Sequence, residues 1–310
     1  MKGILSILLL GFSLLAEGQK IYYQSFGDKK DPTILFLHGG PGYNSASFEA
    51  TSAQNLANAG YHVIVYDRRG EGRSPDPKAA YSFEQSFEDL NYLYKKFRLK
   101  KAALIGHSFG GMLATLYAEQ HPEKVNALIL VGAPINLQAS FKNIIQRCKT
   151  IYQSKKDSVN LNYIGMLEVM DTSTIQYSAY CFAHAMQNGF YSPKEQSSEA
   201  KAIYAKLKEN TEMLPLVAQM TQAGPFGFWK NEQYTTIDLT ENIKNLIHKT
   251  PVYGLYGMED GLYSEAQVKE LQEILGPNNL SYLENCSHSV FIDQQSTFIA
   301  AIQKWLSRSK

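Results

Sequence analysis

Residues 102–112, AALIGHSFGGM, constrain the fold more than any other stretch of the chain. An apolar run at 102–105 leads into Gly-x-Ser-x-Gly-Gly, and an Ala- and Leu-rich stretch of helical period continues to His121. This order predicts a buried strand, a sharp turn at Ser108 and a helix. Glycines on both sides of the turn let strand and helix approach without Cβ clashes. We therefore predict that Ser108 is an exposed nucleophile at the top of a sheet.

The apolar runs on either side of this segment predict a mostly parallel sheet, and hence the α/β fold class. Short, nearly continuous apolar runs alternate with helical stretches, as is typical of parallel strands covered by helices on both faces. Strands are predicted at residues 20–26, 33–37, 61–66, 102–105, 125–131, 251–256 and 279–283. Helices outside the central stretch of the chain are predicted at 47–59, 82–98, 264–275 and 290–307.

The alternation stops between residues 135 and 249. This stretch contains no buried apolar run of strand type and is rich in aromatic residues and methionine. We predict a helical cap at 135–249, inserted into a core formed by residues 19–134 and 250–310. Most of the aromatic side chains should pack within the cap, while some line an apolar pocket that faces Ser108. The candidates for the pocket are Tyr177, Tyr180, Phe226 and Trp229.

The N-terminus and the overall charge bear on location and partners. Residues 1–18, MKGILSILLLGFSLLAEG, predict a secretory signal peptide cleaved near Gly18, so we expect a secreted or periplasmic protein without stable membrane association after cleavage. An uncleaved N-terminal anchor is the alternative. Thirty basic and 29 acidic residues give a net charge of +1, which implies neither nucleic acid nor an anionic membrane as a partner. A small molecule or short peptide is the expected substrate, and the oligomeric state is open.

The cysteines do not suggest a cofactor. Only Cys148, Cys181 and Cys286 are present, and no Cys/His cluster has the spacing of metal ligands. Buried free thiols are the favoured interpretation, and a Cys148–Cys181 disulfide is the alternative. We expect neither a metal nor a cofactor.

A serine hydroxyl needs a base to take its proton and a carboxylate to orient that base. Among the seven histidines, His288 follows the last predicted strand, in a loop from which it reaches Ser108. His38 and His107 lie within backbone turns and are expected to be structural. Asp260 follows the strand at 251–256 and gives the order Ser, Asp, His. Its neighbour Glu259 is the second choice for the acid.

Two further aspartates are assigned structural roles. Asp67 begins the charged turn DRRGEGRS, residues 67–74, which is predicted to tie loops together beside the site rather than to bind an anion. Asp293 lies in the predicted closing helix and is expected to face solvent or to stabilise the first turn of that helix.

Two backbone N–H groups are candidates for an oxyanion hole. Phe109 directly follows Ser108 at the N-terminus of the predicted helix, where N–H groups have no partner within the helix. The strand at 33–37 runs into HGGPG, residues 38–42. Because Pro41 has no N–H, Gly40 is the expected second donor. An ordinary tight turn is the alternative interpretation of this segment.

Together these motifs resemble the α/β-hydrolase fold, and HGGPG in particular is similar to the prolyl aminopeptidase (proline iminopeptidase) family. The resemblance covers HGGPG, DRRGEGRS, GHSFGG, the Asp260 turn and the His288 loop. It implies that Ser108, Asp260 and His288 form a catalytic triad, that Gly40 and Phe109 form the oxyanion hole, and that the insertion is the helical cap.

The resemblance has two departures from the family pattern. Family members usually have Gly-Gly-Ser-Trp-Gly at the elbow and Trp-x-x-Trp-Glu in the cap, where the glutamate holds the α-amino group of the substrate. Here the elbow is GHSFGG, and the nearest cap string, YSAYC at 177–181, has Cys181 in place of the glutamate. Other acidic residues of the insertion are alternatives for that role: Glu168, Asp171, Glu195, Glu212 and Glu232.

Three functional hypotheses follow. The first is a prolyl-aminopeptidase-like serine hydrolase that releases an N-terminal residue from small peptides through an acyl-enzyme. The second is a carboxylesterase or lactonase acting on a small apolar ester, which needs only an apolar pocket, so the absence of an acidic cap side chain facing Ser108 would favour it. The third is a non-catalytic ligand-binding module, which predicts a broken triad.

Overall fold

Seven strands form one sheet in the computed structural model, which describes residues 21–307. They are β1 (Tyr23–Phe26), β2 (Thr33–Leu37), β3 (His62–Tyr66), β4 (Ala102–His107), β5 (Val125–Val131), β6 (Val252–Gly257) and β7 (Leu280–Leu283). The order across the sheet is β1-β3-β2-β4-β5-β6-β7. Every neighbouring pair is parallel except β1 and β3. The predicted α/β fold class is confirmed, and the predicted signal peptide lies outside the described residues.

Helices cover both faces of the sheet. Those of the core are α1 (Ala46–Phe48), α2 (Gln54–Asn58), α3 (Phe83–Phe97), α4 (Phe109–Gln120), α12 (Glu265–Leu275), α13 (Val290–Asp293) and α14 (Gln295–Ser307). Those between β5 and β6 are α5 (Leu137–Ser154), α6 (Ser158–Glu168), α7 (Ile175–Gln187), α8 (Ser198–Glu209), α9 (Met213–Val217), α10 (Ala223–Glu232) and α11 (Thr240–Leu246).

The sheet separates two apolar layers because successive side chains of a strand point to opposite faces. In β4, Ala102 and Leu104 enter one buried cluster, whereas Ala103 and Ile105 enter the other. The first cluster contains α4 and much of the segment between β5 and β6, and the second contains α13 and α14. The central strands are therefore buried on both faces, which is why most of their positions are apolar.

The segment between β5 and β6 contains helices and no named strand within residues 135–249, all of which the structure describes. We call this segment the insertion. One isolated bridge, between Asn136 and Asp238, joins its beginning to its end. Across residues 21–307, none of the helices combines the length and apolarity that a bilayer span requires.

Local structure differs from the sequence prediction in three places. The first strand begins at Tyr23 rather than at residue 20. The predicted helix at 47–59 contains a π-helical turn, Glu49–Ala53, between α1 and α2. The predicted closing helix at 290–307 is two helices, since the backbone of Gln294 leaves the helical region between α13 and α14.

Candidate active site

Ser108 sits on a strained turn between β4 and α4. Its backbone has φ 51° and ψ −126°, a conformation that non-glycine residues rarely adopt. The turn is tight enough that a Cβ atom on Gly110 would overlap the Leu37 carbonyl oxygen, and one on Gly106 would overlap the backbone of Gly111. The glycines of the motif are therefore required by close backbone approach, as the sequence predicts. The turn directs Ser108 into a cavity above the sheet.

His288 and Asp260 meet at the same edge of the sheet. Asp260 follows β6 and His288 follows β7, and His288 Nδ1 lies 2.8 Å from Asp260 Oδ2. Both side chains are buried. A second Asp260 oxygen, Oδ1, accepts the N–H of Leu262 at 3.0 Å, which fixes the carboxylate. Since Nδ1 donates to the carboxylate, the neutral ring presents Nε2 as an acceptor.

Ser108 and His288 both line the cavity, so the predicted nucleophile and the predicted base face the same space. Glu259, the second choice for the acid, lies elsewhere. Its Oε2 accepts the backbone N–H of Lys194 at 2.5 Å on the exposed surface. Of the two neighbouring carboxylates, the structure brings only Asp260 to the imidazole.

The HGGPG segment is held against the elbow by Arg68. The Arg68 guanidinium donates to the carbonyls of His38 and Gly39 and, through Nε, to Glu71 Oε2 at 2.8 Å. Glu71 Oε1 in turn accepts the N–H of Gly42 at 2.7 Å. Both members of this ion pair are buried. The segment is thus fixed from both ends.

The two predicted oxyanion donors flank the elbow. Phe109 is the first residue of α4, so its N–H has no carbonyl acceptor within the helix. Gly40 has a φ of 116°, a conformation that favours glycine. Both residues line the cavity beside Ser108.

The histidines assigned structural roles do hold backbone. The N–H of Arg68 donates to His38 Nε2 at 3.1 Å, so the proton of this imidazole is on Nδ1, 2.9 Å from the Gly39 carbonyl. Burial and the charge of Arg68 lower the pKa of His38 well below its usual range. His107 Nε2 lies 3.1 Å from the carbonyl oxygen of His288, and burial together with His288 lowers the pKa of His107 to about 3. Both rings are therefore neutral.

The charged turn 67–74 ties loops together, as predicted. Asp67 is buried and accepts from the backbone N–H and hydroxyl of Ser45 and from Arg73. The hydrogen bonds from Arg73 and Ser45 hold the pKa of Asp67 below its usual range despite its burial. Both oxygens of the Asp67 carboxylate are therefore engaged in these hydrogen bonds.

The predicted solvent exposure of Asp293 is wrong, although the residue does lie in the first turn of α13. This aspartate is buried rather than exposed, and its Oδ2 accepts the N–H of Ser287 at 2.9 Å, one residue before His288. Its Oδ1 accepts the hydroxyl of Tyr204, on α8, at 3.3 Å. Burial raises the pKa of Asp293 to about 6. The helix break at Gln294 and the packing of α8 cause this burial, and the signal in the sequence was an aspartate that follows the apolar run Val290, Phe291, Ile292.

One carbonyl of the insertion joins the loops of Asp260 and His288. The Phe190 carbonyl oxygen accepts the N–H of Gly261 at 2.9 Å and the hydroxyl of Ser287 at 3.1 Å. The ring of Phe190 packs directly on Gly261. The next residue, Tyr191, lies edge-on to the His288 ring, with 5.2 Å between ring centroids. The position of His288 is therefore coupled to the insertion.

A cavity of about 1140 Å³ lies between the insertion and the carboxyl ends of the strands. We call the lining residues up to Pro134 and from Leu262 onward the core side, and those at 137–234 the insertion side. No Asp, Glu, Lys or Arg lines the cavity among residues 21–307. Its mouth is rimmed by exposed apolar side chains: Tyr43, Met186, Met220 and Phe226. The cavity is thus large, apolar and without charge.

Of the four aromatic candidates in the insertion, Phe226 lines the cavity and the other three lie elsewhere. Tyr177 packs edge-on against Phe141, Tyr180 is exposed on the surface, and Trp229 donates its Nε1–H to the Ser173 carbonyl. Sequence reasoning missed two cavity-lining tyrosines, Tyr191 and Tyr234. Nothing in the local sequence marks them, because each occupies an irregular segment rather than a helical face.

The acidic residues considered for amine recognition do not line the cavity. Glu168 pairs with Lys149, Asp171 accepts from Ser173, and Glu232 accepts the N–H of Phe83. Glu195 and Glu212 are exposed.

Cys181, the residue in place of the family's glutamate, is buried and does not line the cavity either. Cys148, Cys181 and Cys286 are buried free thiols. Within residues 21–307, no three or more His, Cys, Asp or Glu side chains converge as ligands of a metal ion would.

Comparison with known proteins agrees with this geometry. A family model described as the alpha/beta hydrolase fold matches residues 32–154. A proline iminopeptidase of Lactobacillus acidophilus is 27% identical over 296 residues, which cover 93% of this chain and 95% of the relative. A proline iminopeptidase-related protein from Thermus thermophilus superimposes with a TM-score of 0.67 at 21% identity, covering 93% of each chain. An esterase from Exiguobacterium antarcticum superimposes with a TM-score of 0.61 at 19% identity, covering 93% of this chain and 95% of its own.

Proposed function

We propose that this chain, which has the α/β-hydrolase fold, is a serine hydrolase that cleaves uncharged carboxylic esters or lactones with a sizeable apolar group. The observation that carries the proposal is the charge-free cavity above Ser108 and His288. An ammonium or carboxylate in such a cavity would lose its hydration without gaining a partner, which is costly. An apolar group would gain free energy from the same burial.

The mechanism uses the residues gathered at the end of the sheet. Ser108 Oγ attacks the carbonyl carbon while His288 Nε2 takes the serine proton, and Asp260 holds the imidazole and stabilises its charged form. The N–H groups of Gly40 and Phe109 stabilise the developing oxyanion. His288 then gives its proton to the departing alcohol oxygen. Water attacks the acyl-enzyme with His288 as base, which releases the acid and restores Ser108.

Release of an N-terminal residue from small peptides is the second candidate. The similarity to proline iminopeptidases over nearly the whole chain favours it. That reaction requires a partner for the α-ammonium group of the substrate. No carboxylate lines the cavity among residues 21–307, so the ester hypothesis is better supported.

A matched pair of substrates separates the two candidates. The methyl esters of cyclopentanecarboxylic acid and of proline have five-membered rings, but only the second carries an ammonium group. We expect kcat/KM for the uncharged ester to be higher by at least about tenfold, because the ammonium would be buried unpaired. A preference for the proline ester, supported by turnover of proline arylamide, would overturn the ester proposal in favour of the aminopeptidase.

The control for the mechanism is Ser108→Ala. It should lower kcat by at least about 10⁴-fold while circular dichroism and thermal unfolding stay unchanged. Undiminished turnover in this variant would mean that Ser108 is not the nucleophile.

A further inference from the structure

The insertion side of the cavity carries two phenol hydroxyls, in the described part of the chain, that neither the fold nor the proposed mechanism uses. Tyr234 is only 4% exposed, and no hydrogen bond joins its hydroxyl to residues 21–307, although the hydroxyl oxygen still reaches solvent-accessible space. The hydroxyl of the partly buried Tyr191 is likewise without a partner within that range. Tyr263, which lines the same cavity, differs, since its hydroxyl donates to the Gly132 carbonyl at 2.8 Å. A phenol at such a depth normally finds a partner.

The other uncharged polar residues on the insertion side are already accounted for. The Ser178 hydroxyl donates to the Ile175 carbonyl at 2.9 Å. Ser192 and Gln222 are exposed to solvent. Tyr191 and Tyr234 are therefore the polar side chains, among the described residues of the insertion side, that are largely covered and yet have a hydroxyl free for a ligand.

Each of the two rings packs against a residue of the proposed catalytic machinery. The Tyr191 ring lies edge-on to His288, with 5.2 Å between centroids. The Tyr234 ring lies edge-on to Phe109, also with 5.2 Å between centroids. One phenol thus adjoins the proposed base, and the other adjoins the residue that supplies an oxyanion donor. Each is held in place, Tyr191 by the hydrogen-bonded Phe190 carbonyl and Tyr234 by the 3-10 turn Tyr234–Thr236.

The hydroxyls are neutral hydrogen-bond donors. Burial raises the pKa of both above the usual value of a tyrosine, and nearby Asp260 adds to the effect at Tyr191. Without a cation on either side, they suit an uncharged oxygen rather than a carboxylate or phosphate.

We infer that Tyr191 and Tyr234 are specificity residues that bind a second, uncharged oxygen of the substrate, such as a ketone, amide or ether oxygen near the scissile ester. This inference rests on the proposed function and narrows its substrate class to esters or lactones with such an oxygen. A substrate that lacks it covers both hydroxyls without supplying a partner, which lowers its relative rate.

The test compares 4-nitrophenyl hexanoate with 4-nitrophenyl esters of hexanoic acid that carry a ketone at carbon 4 or 5. The readout is the ratio of kcat/KM for the keto ester to that for the hexanoate, in the wild type and in Tyr191→Phe, Tyr234→Phe and the double variant. The ratio measured for the wild type alone also depends on the intrinsic reactivities of the two esters. Because those reactivities are the same for every variant, a change in the ratio between variants reports only the effect of the substitution.

We expect each single substitution to lower this ratio by about 3–10-fold for at least one keto ester. Tyr180→Phe, on the exposed surface of the insertion, is the matched control and should leave the ratio unchanged. A ratio that both cavity substitutions leave unchanged would overturn the inference. Failure of the proposed function would look different, because the wild type would then not hydrolyse the hexanoate or Ser108→Ala would retain its rate.

Discussion

The two sides of the cavity are built from different interactions. On the core side, backbone is fixed by buried polar contacts, with Arg68 and Glu71 holding the HGGPG segment and Asp260 holding His288. On the insertion side, the lining is uncharged and consists mostly of apolar side chains. This difference indicates that hydrogen bonds on the core side hold the proposed catalytic residues in place, whereas the shape and polarity of the insertion side select the substrate. We therefore expect core-side variants to act on every substrate and insertion-side variants to act on selectivity.

The largest effect is expected for Asp260→Asn. The amide cannot stabilise the charged imidazole of His288 and favours the wrong tautomer, so kcat should fall by about 10⁴-fold with little change in KM. Steady-state kinetics on an uncharged ester measure this split. Glu259→Gln is the matched control and should stay within a few-fold of the wild type, because the Glu259 carboxylate accepts a hydrogen bond from the backbone of exposed Lys194 and from no other described residue. Equal losses in the two variants would mean that the Asp260–His288 contact does not orient the base.

Arg68→Met should lower the free energy of unfolding by about 3–5 kcal/mol, because it leaves the Glu71 carboxylate buried without its cation. Chemical denaturation monitored by circular dichroism measures the change. Lys230→Met, an exposed position on α10 of the insertion, is the matched control and should change stability by less than about 0.5 kcal/mol. If Arg68→Met were as stable as the control, the polar contacts of the core side would not be holding the segment.

Asp293→Asn tests the contact between the insertion and the His288 loop. Burial raises the pKa of Asp293 to about 6, above its value in the unfolded chain. Protonation of Asp293 therefore stabilises the folded state fully below about pH 4, and this stabilisation is lost as the pH rises through 6. Because asparagine resembles the protonated acid, the variant should match the wild type near pH 4 and exceed it by up to about 3 kcal/mol at pH 8.

Thermal unfolding between pH 4 and pH 8 measures this difference. The residues that face the Asp293 carboxyl group are unchanged in the variant, and they are Ser287, Tyr204, His288 and Asp260. Glu209→Gln, an exposed position on α8, is the control and should show no such dependence on pH. A variant that is less stable than the wild type at pH 8 would show that the carboxylate charge stabilises the fold.

The sequence predicts the core side well because the required residues are local. The turn at Ser108 needs glycine at the positions where the backbones of β4, α4 and β2 approach one another closely. The glycines of the motif are therefore enough to predict the turn. The central strands are mostly apolar because both of their faces are buried. The order of Ser108, Asp260 and His288 follows from the order of the strands whose ends they occupy.

The insertion side is predicted poorly because its contacts join residues far apart in the chain. Helical periodicity shows that α7 and α10 are amphipathic in part but not which face meets the cavity, so Tyr177 and Phe226 cannot be distinguished from sequence alone. Tyr191 and Tyr234 lie outside helical periodicity altogether. The burial of Asp293 depends on α8, about ninety residues earlier, and on a helix break at Gln294 that no proline or glycine announces.

The Phe190 carbonyl has a consequence for how molecules reach Ser108. It accepts hydrogen bonds from the loops of both Asp260 and His288. Movement of this part of the insertion away from the core would therefore disturb the proposed Asp260–His288 pair. Passage between the rim side chains Met186, Met220 and Phe226 needs no such movement. Exposed side chains change rotamer in picoseconds to nanoseconds, far faster than domains open. Admission of a substrate through this rim is therefore compatible with a base that stays in place throughout turnover.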